Sequence, residues 1–123
     1  MKYKVVAFDL DDVLCYRSPE ATGDIDKYKT CEPNQNMIDL CNKCFNSGCE
    51  VIIYTARGMS TQGGDVSKVY SKLYQMTTSQ LKGWGVKYHQ LIMGKAHYDI
   101  LIDDKAFNYT GNNEASISEL LGV

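Results

Sequence analysis

Lys4-Val5-Val6-Ala7-Phe8-Asp9-Leu10-Asp11-Asp12 decides how the rest of the chain is read. Lys4 to Phe8 is β-branched-rich, apolar and too short for a helix, so it reads as a buried strand that ends in a run of carboxylates. Working outward, Val51 to Tyr54, Gln90 to Met93 and Ile100 to Ile102 have the same character and read as further strands. Amphipathic stretches lie between them. Asn34 to Ser47 carries Met37, Ile38, Cys41, Cys44 and Phe45 at helical spacing, and Gly48 is a natural stop. Asp65 to Lys82 carries Val66, Val69, Tyr70, Leu73, Met76 and Leu81, with Gly83 and Gly85 where it ends. A short last helix, about Asn113 to Leu121, packs Ile117, Leu120 and Leu121 back onto the body.

Strands alternating with helices predict βαβ units joined by right-handed crossovers. The expected fold is therefore α/β: a single Rossmann-like domain with a mainly parallel sheet flanked by helices. A length of 123 residues fits one such domain and leaves little room for a second. Apolar (44%) and charged (23%) fractions are those of a globular protein, and a net charge of −2 with no basic cluster excludes a nucleic-acid footprint. Met1-Lys2-Tyr3-Lys4 runs straight into the first strand, not into the apolar core of a signal peptide, and no apolar stretch is long enough to span a bilayer. These features predict a cytoplasmic protein with no membrane partner. The five cysteines include Cys41-Asn42-Lys43-Cys44, but both thiols fall on the apolar stripe of a helix and no further ligands stand nearby. They are expected to be structural and reduced.

Three polar segments leave the carboxyl ends of strands, where open α/β sheets bind ligands: Cys15 to Pro33, Gly58 to Gly64, and Phe107 to Asn113. The strand ends themselves present Asp9, Asp11 and Asp12, then Thr55-Ala56-Arg57, then Gly94-Lys95, then Asp103-Asp104. Gathered at one sheet edge, these carboxylates would repel one another, by about 4 kcal/mol for two charges 4 Å apart at an effective dielectric near 20. An all-oxygen cluster of this kind suits Mg²⁺, and Lys95 and the Thr55 hydroxyl are the right types to hold phosphate oxygens. Singly, each has a plainer reading: a turn or helix cap for Asp12 and Thr55, a solvated charge for Lys95, a polar turn for Asp103-Asp104. Their order along the chain is what favours a shared site.

That order resembles the haloacid dehalogenase superfamily of phosphatases. Asp9-Leu10-Asp11 after a hydrophobic strand matches its Asp-x-Asp motif, Thr55 closing Val51-Ile52-Ile53-Tyr54 the second, Lys95 the third, and Ile102-Asp103-Asp104 the paired-acid form of the fourth. The likeness runs from about residue 4 to 106. Tyr54-Thr55-Ala56-Arg57-Gly58-Met59 and Gly94-Lys95 through Asp103-Asp104-Lys105-Ala106 look similar to small phosphatases of bacterial capsular polysaccharide synthesis. Asp12 stands where many relatives have glycine. No cap domain is expected, because the insert after Asp11 is too short to fold alone. An uncapped site is either open to a large substrate or covered by neighbouring subunits, which leaves a homo-oligomer open.

The resemblance implies a phosphomonoester hydrolase in which Asp9 attacks phosphorus to form an aspartyl-phosphate, while Asp11 protonates the leaving alkoxide and then deprotonates water. It implies Mg²⁺ held by Asp9, the backbone carbonyl of Asp11, and Asp103, with Asp104 behind Asp103 or exchanging roles with it. Lys95 would neutralise the phosphoryl oxygens and lower the pKa of Asp9, and Thr55 with the backbone N–H at Ala56 would orient the phosphoryl group. Arg57 either grips a substrate anion or fixes its loop by a salt bridge. The expected substrate is small and phosphorylated: a sugar phosphate, a sugar nucleotide or a phospho-alcohol, including a capsular-polysaccharide precursor. A receiver-type signalling domain uses the same residue types, but there the phospho-accepting aspartate ends a middle strand; here the middle strands end in Thr55 and Gly94. An inactive phosphate-binding module is the remaining alternative.

Overall fold

The structure, a computed structural model, describes residues 3–23 and 25–123; Met1, Lys2 and Asp24 lie outside the described residues. In chain order its elements are β1 (Val5–Phe8), β2 (Cys15–Tyr16), α1 (Asp26–Lys29), β3 (Glu32–Pro33) and α2 (Gln35–Asn46). These are followed by β4 (Glu50–Thr55), α3 (Val66–Gly83), β5 (Gln90–Met93) and α4 (Glu114–Leu121). β1, β4 and β5 form a parallel sheet in that order, so the protein is α/β as expected. β2 and β3 make a separate antiparallel ribbon inside the Cys15–Pro33 insert, and no cap domain stands on it among the described residues.

Side-chain alternation divides the sheet into unequal faces. The register Phe8↔Ile53↔Leu91 and Thr55↔Met93 puts Phe8, Val51, Ile53, Leu91 and Met93 on one face, where all are buried. Both crossovers step the same way along the sheet, and right-handed connections of that kind place α2 and α3 on a single face. α2 brings Met37, Ile38, Leu40, Cys41 and Cys44 to the core, and α3 brings Val69, Leu73, Thr77 and Leu81. α3 starts where the Asp65 carboxylate accepts the Lys68 N–H at 3.3 Å, a side-chain cap. α4 lies on α2 and buries Ile117 and Leu121. The opposite sheet face carries Val5, Ala7, Ile52, Tyr54 and Ile92, none of them buried.

The expected fourth strand does not form. Ile100, Leu101 and Ile102 lie in an extended coil, 77%, 50% and 92% exposed. The reason is chain length. A parallel connection takes about a dozen residues or more. Lys95 is still pinned to the end of β4 by its N–H to the Thr55 carbonyl at 3.1 Å, so residues 96–99 are all that remain to cross the sheet and descend it. Residues 95–108 therefore form an arm, which the chain leaves at Tyr109 to enter α4.

Candidate active site at the end of β1

Asp9 follows the last residue of β1, and its Oδ1 accepts the Leu10 N–H at 2.8 Å. The Leu10 carbonyl then accepts the N–H groups of Val13, Leu14 and Cys15, which folds the chain into a tight turn. That turn holds Asp12 at φ 68°, a left-handed conformation in which aspartate is better tolerated than most residues. The acidic run thus splits three ways: Asp9 faces the strand ends, Asp11 turns inward, and Asp12 points outward to pair with Arg17 at 3.3 Å.

Lys95 reaches the site from the end of β5. Gly94, at φ 95°, turns the chain there, and Tyr70 of α3 secures Met93 by accepting its N–H at 2.9 Å. The Lys95 Nζ stands 3.8 Å from Asp9 Oδ2 and 5.5 Å from the ring centres of both Tyr54 and Tyr98. Asp9 and Lys95 thus meet as expected. Lys95 pulls the Asp9 pKa down as expected, but the net shift is upward. Burial raises the Asp9 pKa above the ordinary carboxylate value, outweighing Lys95 and the Leu10 N–H, and the charges of Asp11 and Asp12 push the same way.

Arg57 corrects the sequence reading most sharply. It is 2% exposed, so it cannot meet a substrate anion in solution. Its guanidinium grips Asp11 with two bonds, NH2 to Oδ1 at 2.8 Å and Nε to Oδ2 at 3.0 Å. NH1 donates to Thr77 Oγ1 at 3.1 Å and Gln80 Oε1 at 2.6 Å, and the group lies 4.9 Å from the Tyr28 ring centre. Burial opposes the charge on Arg57, but the bonds and charge of Asp11 win and its pKa is raised. Of the two roles open to Arg57, the structure holds the salt bridge. Asp11 is thereby oriented through both of its oxygens.

Thr55 closes β4 as expected, but it is 1% exposed and its hydroxyl accepts the Arg57 N–H at 3.0 Å, shaping the turn that aims Arg57 inward. Ala56 is half-buried beside it. Asp103 and Asp104 lie exposed on the arm and do not join the site. The Asp103 carboxylate accepts the Lys105 N–H at 2.8 Å, which holds its pKa below the usual carboxylate value. The charges acting on Asp9 are those of Lys95, Asp11 and Asp12.

Several neighbours of the site were not anticipated. The Tyr28 hydroxyl oxygen accepts the Gly58 N–H at 3.0 Å, while the Gln80 side-chain amide donates to the Tyr28 carbonyl at 2.5 Å. Thr77 sits one helical turn from both Leu73 and Leu81 and is fully buried, so a polar residue on the apolar stripe of α3 was the available signal. Cys15 and Cys31 come within reach of Asp11 Oδ1 at 3.4 and 3.7 Å, a meeting that no spacing announces. The Cys15 thiol donates to Cys31, raising the pKa of the first and lowering that of the second. Asp11, Cys15 and Cys31 are close enough to share an ion among the described residues, but the Arg57 guanidinium, 3.7 and 3.8 Å from the two sulfurs, already supplies the positive charge there. All five cysteines are free thiols. His89 accepts the Val51 N–H at 3.0 Å and stacks on Phe45, a structural role.

The fold has a solved counterpart. The crystal structure of an MCSG target from Vibrio cholerae is similar at a TM-score of 0.76 and 28% identity, over 97% of each chain. No protein-family model matches the chain, and no curated protein matches it. Among the described residues no helix is long and apolar enough to cross a membrane.

For a magnesium ion at Asp9 the donor chemistry is of the right, all-oxygen kind, but among the described residues the Asp103 carboxylate does not join it. The Asp9 carboxylate and the Asp11 backbone stand at the end of β1; the Asp103 carboxylate is exposed on the arm.

Proposed function

We propose that this protein is a phosphomonoester hydrolase working through an aspartyl-phosphate on Asp9. The observation that carries the reading is the juxtaposition of Lys95 Nζ and Asp9 Oδ2 at 3.8 Å, at the carboxyl ends of the parallel strands β5 and β1, which flank β4. A carboxylate nucleophile attacking a phosphate dianion needs a cation beside it to offset the charge that accumulates. Lys95 provides one, steadied between Tyr54 and Tyr98. Asp11 gives a proton to the leaving alkoxide and later takes one from water, and Arg57 stabilises its carboxylate whenever the proton is away. Thr55 contributes by shaping the turn.

Mg²⁺ is the proposed cofactor; bound beside Asp9 it would draw charge from the phosphoryl oxygens. The proposed substrates are small phosphorylated molecules such as sugar phosphates, sugar nucleotides or phospho-alcohols, capsular-polysaccharide precursors among them, met in the cytoplasm. The test is phosphate release from p-nitrophenyl phosphate and a panel of sugar phosphates with Mg²⁺. Asp9→Asn is expected to lower release by about 10³-fold or more while the circular dichroism spectrum stays unchanged. Near-full activity in that variant would remove Asp9 as nucleophile.

A further inference from the structure

Among the described residues the most exposed large apolar ones are not scattered. Those at least half exposed are Val5 at 53%, Ile100 at 77%, Leu101 at 50%, Ile102 at 92% and Phe107 at 52%. Val5 lies on β1 and the other four on the arm. Among the described residues β1 ends the sheet order, so no strand pairs along its outer edge, and no helix lies on the sheet face around Val5 and Ala7. Parallel sheets are ordinarily covered on both faces, and an open parallel edge with such a face is a strand site awaiting a strand. The arm has the composition of that strand: Ile100-Leu101-Ile102, ending in Asp103. Its own chain cannot seat it with Asp103 beside Asp9, because residues 96–99 are too few for a parallel crossover.

The geometry points to reciprocal arm exchange between two copies of this chain: the Ile100–Ile102 segment of each pairs along the free edge of β1 in the other. Such a contact is isologous and closes at two copies. It removes the most exposed apolar residues of both chains from water at once, and it sets the partner's Asp103 next to Asp9 and Asp11. The missing carboxylate of the site is then supplied in trans, so neither chain is complete alone. The role given to Asp103 rests on the phosphatase reading; the exchange of arms does not.

Sedimentation equilibrium at micromolar concentration is expected to give twice the 13.8 kDa chain mass for the wild type and the single-chain mass for Ile102→Lys, with unchanged circular dichroism. A wild type of single-chain mass overturns the inference, and so does a dimer that survives Ile102→Lys. The second experiment co-expresses Asp9→Asn with Asp103→Asn, each inactive alone. Exchange leaves one intact site in every mixed dimer and returns about a quarter of wild-type activity on random pairing. No recovery, with an active wild type, overturns it. If the wild type dimerises through the arm yet hydrolyses none of the phosphate probes, the phosphatase reading fails and arm exchange stands.

Discussion

The Arg57–Asp11 knot and the 95–108 arm solve opposite problems with similar material. At the knot, a charged pair is taken almost wholly out of water: the side chains are 0% and 14% exposed, and every guanidinium nitrogen has a partner. On the arm, Ile100 and Ile102 are held in water. A buried ion pair is kept where its geometry is fully met, and a contiguous run of exposed apolar residues marks a surface that another group covers. The first region is finished within one chain. The second is not.

The largest effect is expected from breaking the knot. Arg57→Ala leaves Asp11 charged and unpaired and strips partners from Thr77 and Gln80, at a cost of about 3–5 kcal/mol measured by urea denaturation. Gly58→Ala comes next. Gly58 has φ 80°, and an added Cβ would stand 2.2 Å from Leu73 Cδ1, so about 2–3 kcal/mol of stability should go by the same measurement. A third test uses pH on the core beneath α2. Burial pushes the Cys41 thiol up to about 12 and the Cys44 thiol up to about 11. Above roughly pH 8.5 the unfolded chain gives up these protons while the folded chain keeps them, so stability falls as pH rises toward those values. Cys41→Ala should flatten that alkaline slope in thermal melts at stepped pH. The smallest effect belongs to the arm: in dilute, single-chain protein Ile102→Lys should change stability by less than about 0.5 kcal/mol. A larger loss there would mean that the arm packs on its own chain and would erase the contrast.

Much of the body was legible. The strand at Gln90–Met93 and the helix ending before Gly48 carry plain local signals, the first in β-branched and long apolar residues, the second in spacing and a positive-φ glycine. Asp9 and Lys95 meet because parallel strands deliver their carboxyl ends to one edge, which order alone predicts. Arg57 was not resolved, since whether a cation after a strand turns in or out depends on what waits inside, here Asp11, Thr77 and Gln80. Ile100–Ile102 misled for a different reason. Its composition is that of a strand, but composition says nothing of whether the connecting residues can carry it to a partner.

One bond network bears on how that arm behaves. The Asn34 Nδ2 donates to the Val13 carbonyl at 2.9 Å, to the Tyr16 hydroxyl at 2.9 Å and to the Tyr109 hydroxyl at 3.0 Å, and Tyr109 in turn donates to Glu114 at 2.6 Å. The far foot of the arm is thus tied to the turn after β1, just as the near foot is tied to Thr55. A segment anchored at both ends explores far less space than a free tail. Its closure entropy is already met when the domain folds, and lengthening it would add only slowly to that cost, about 0.6 kcal/mol per doubling. The arm is a handle, not a tether: its reach is set by the body that holds it.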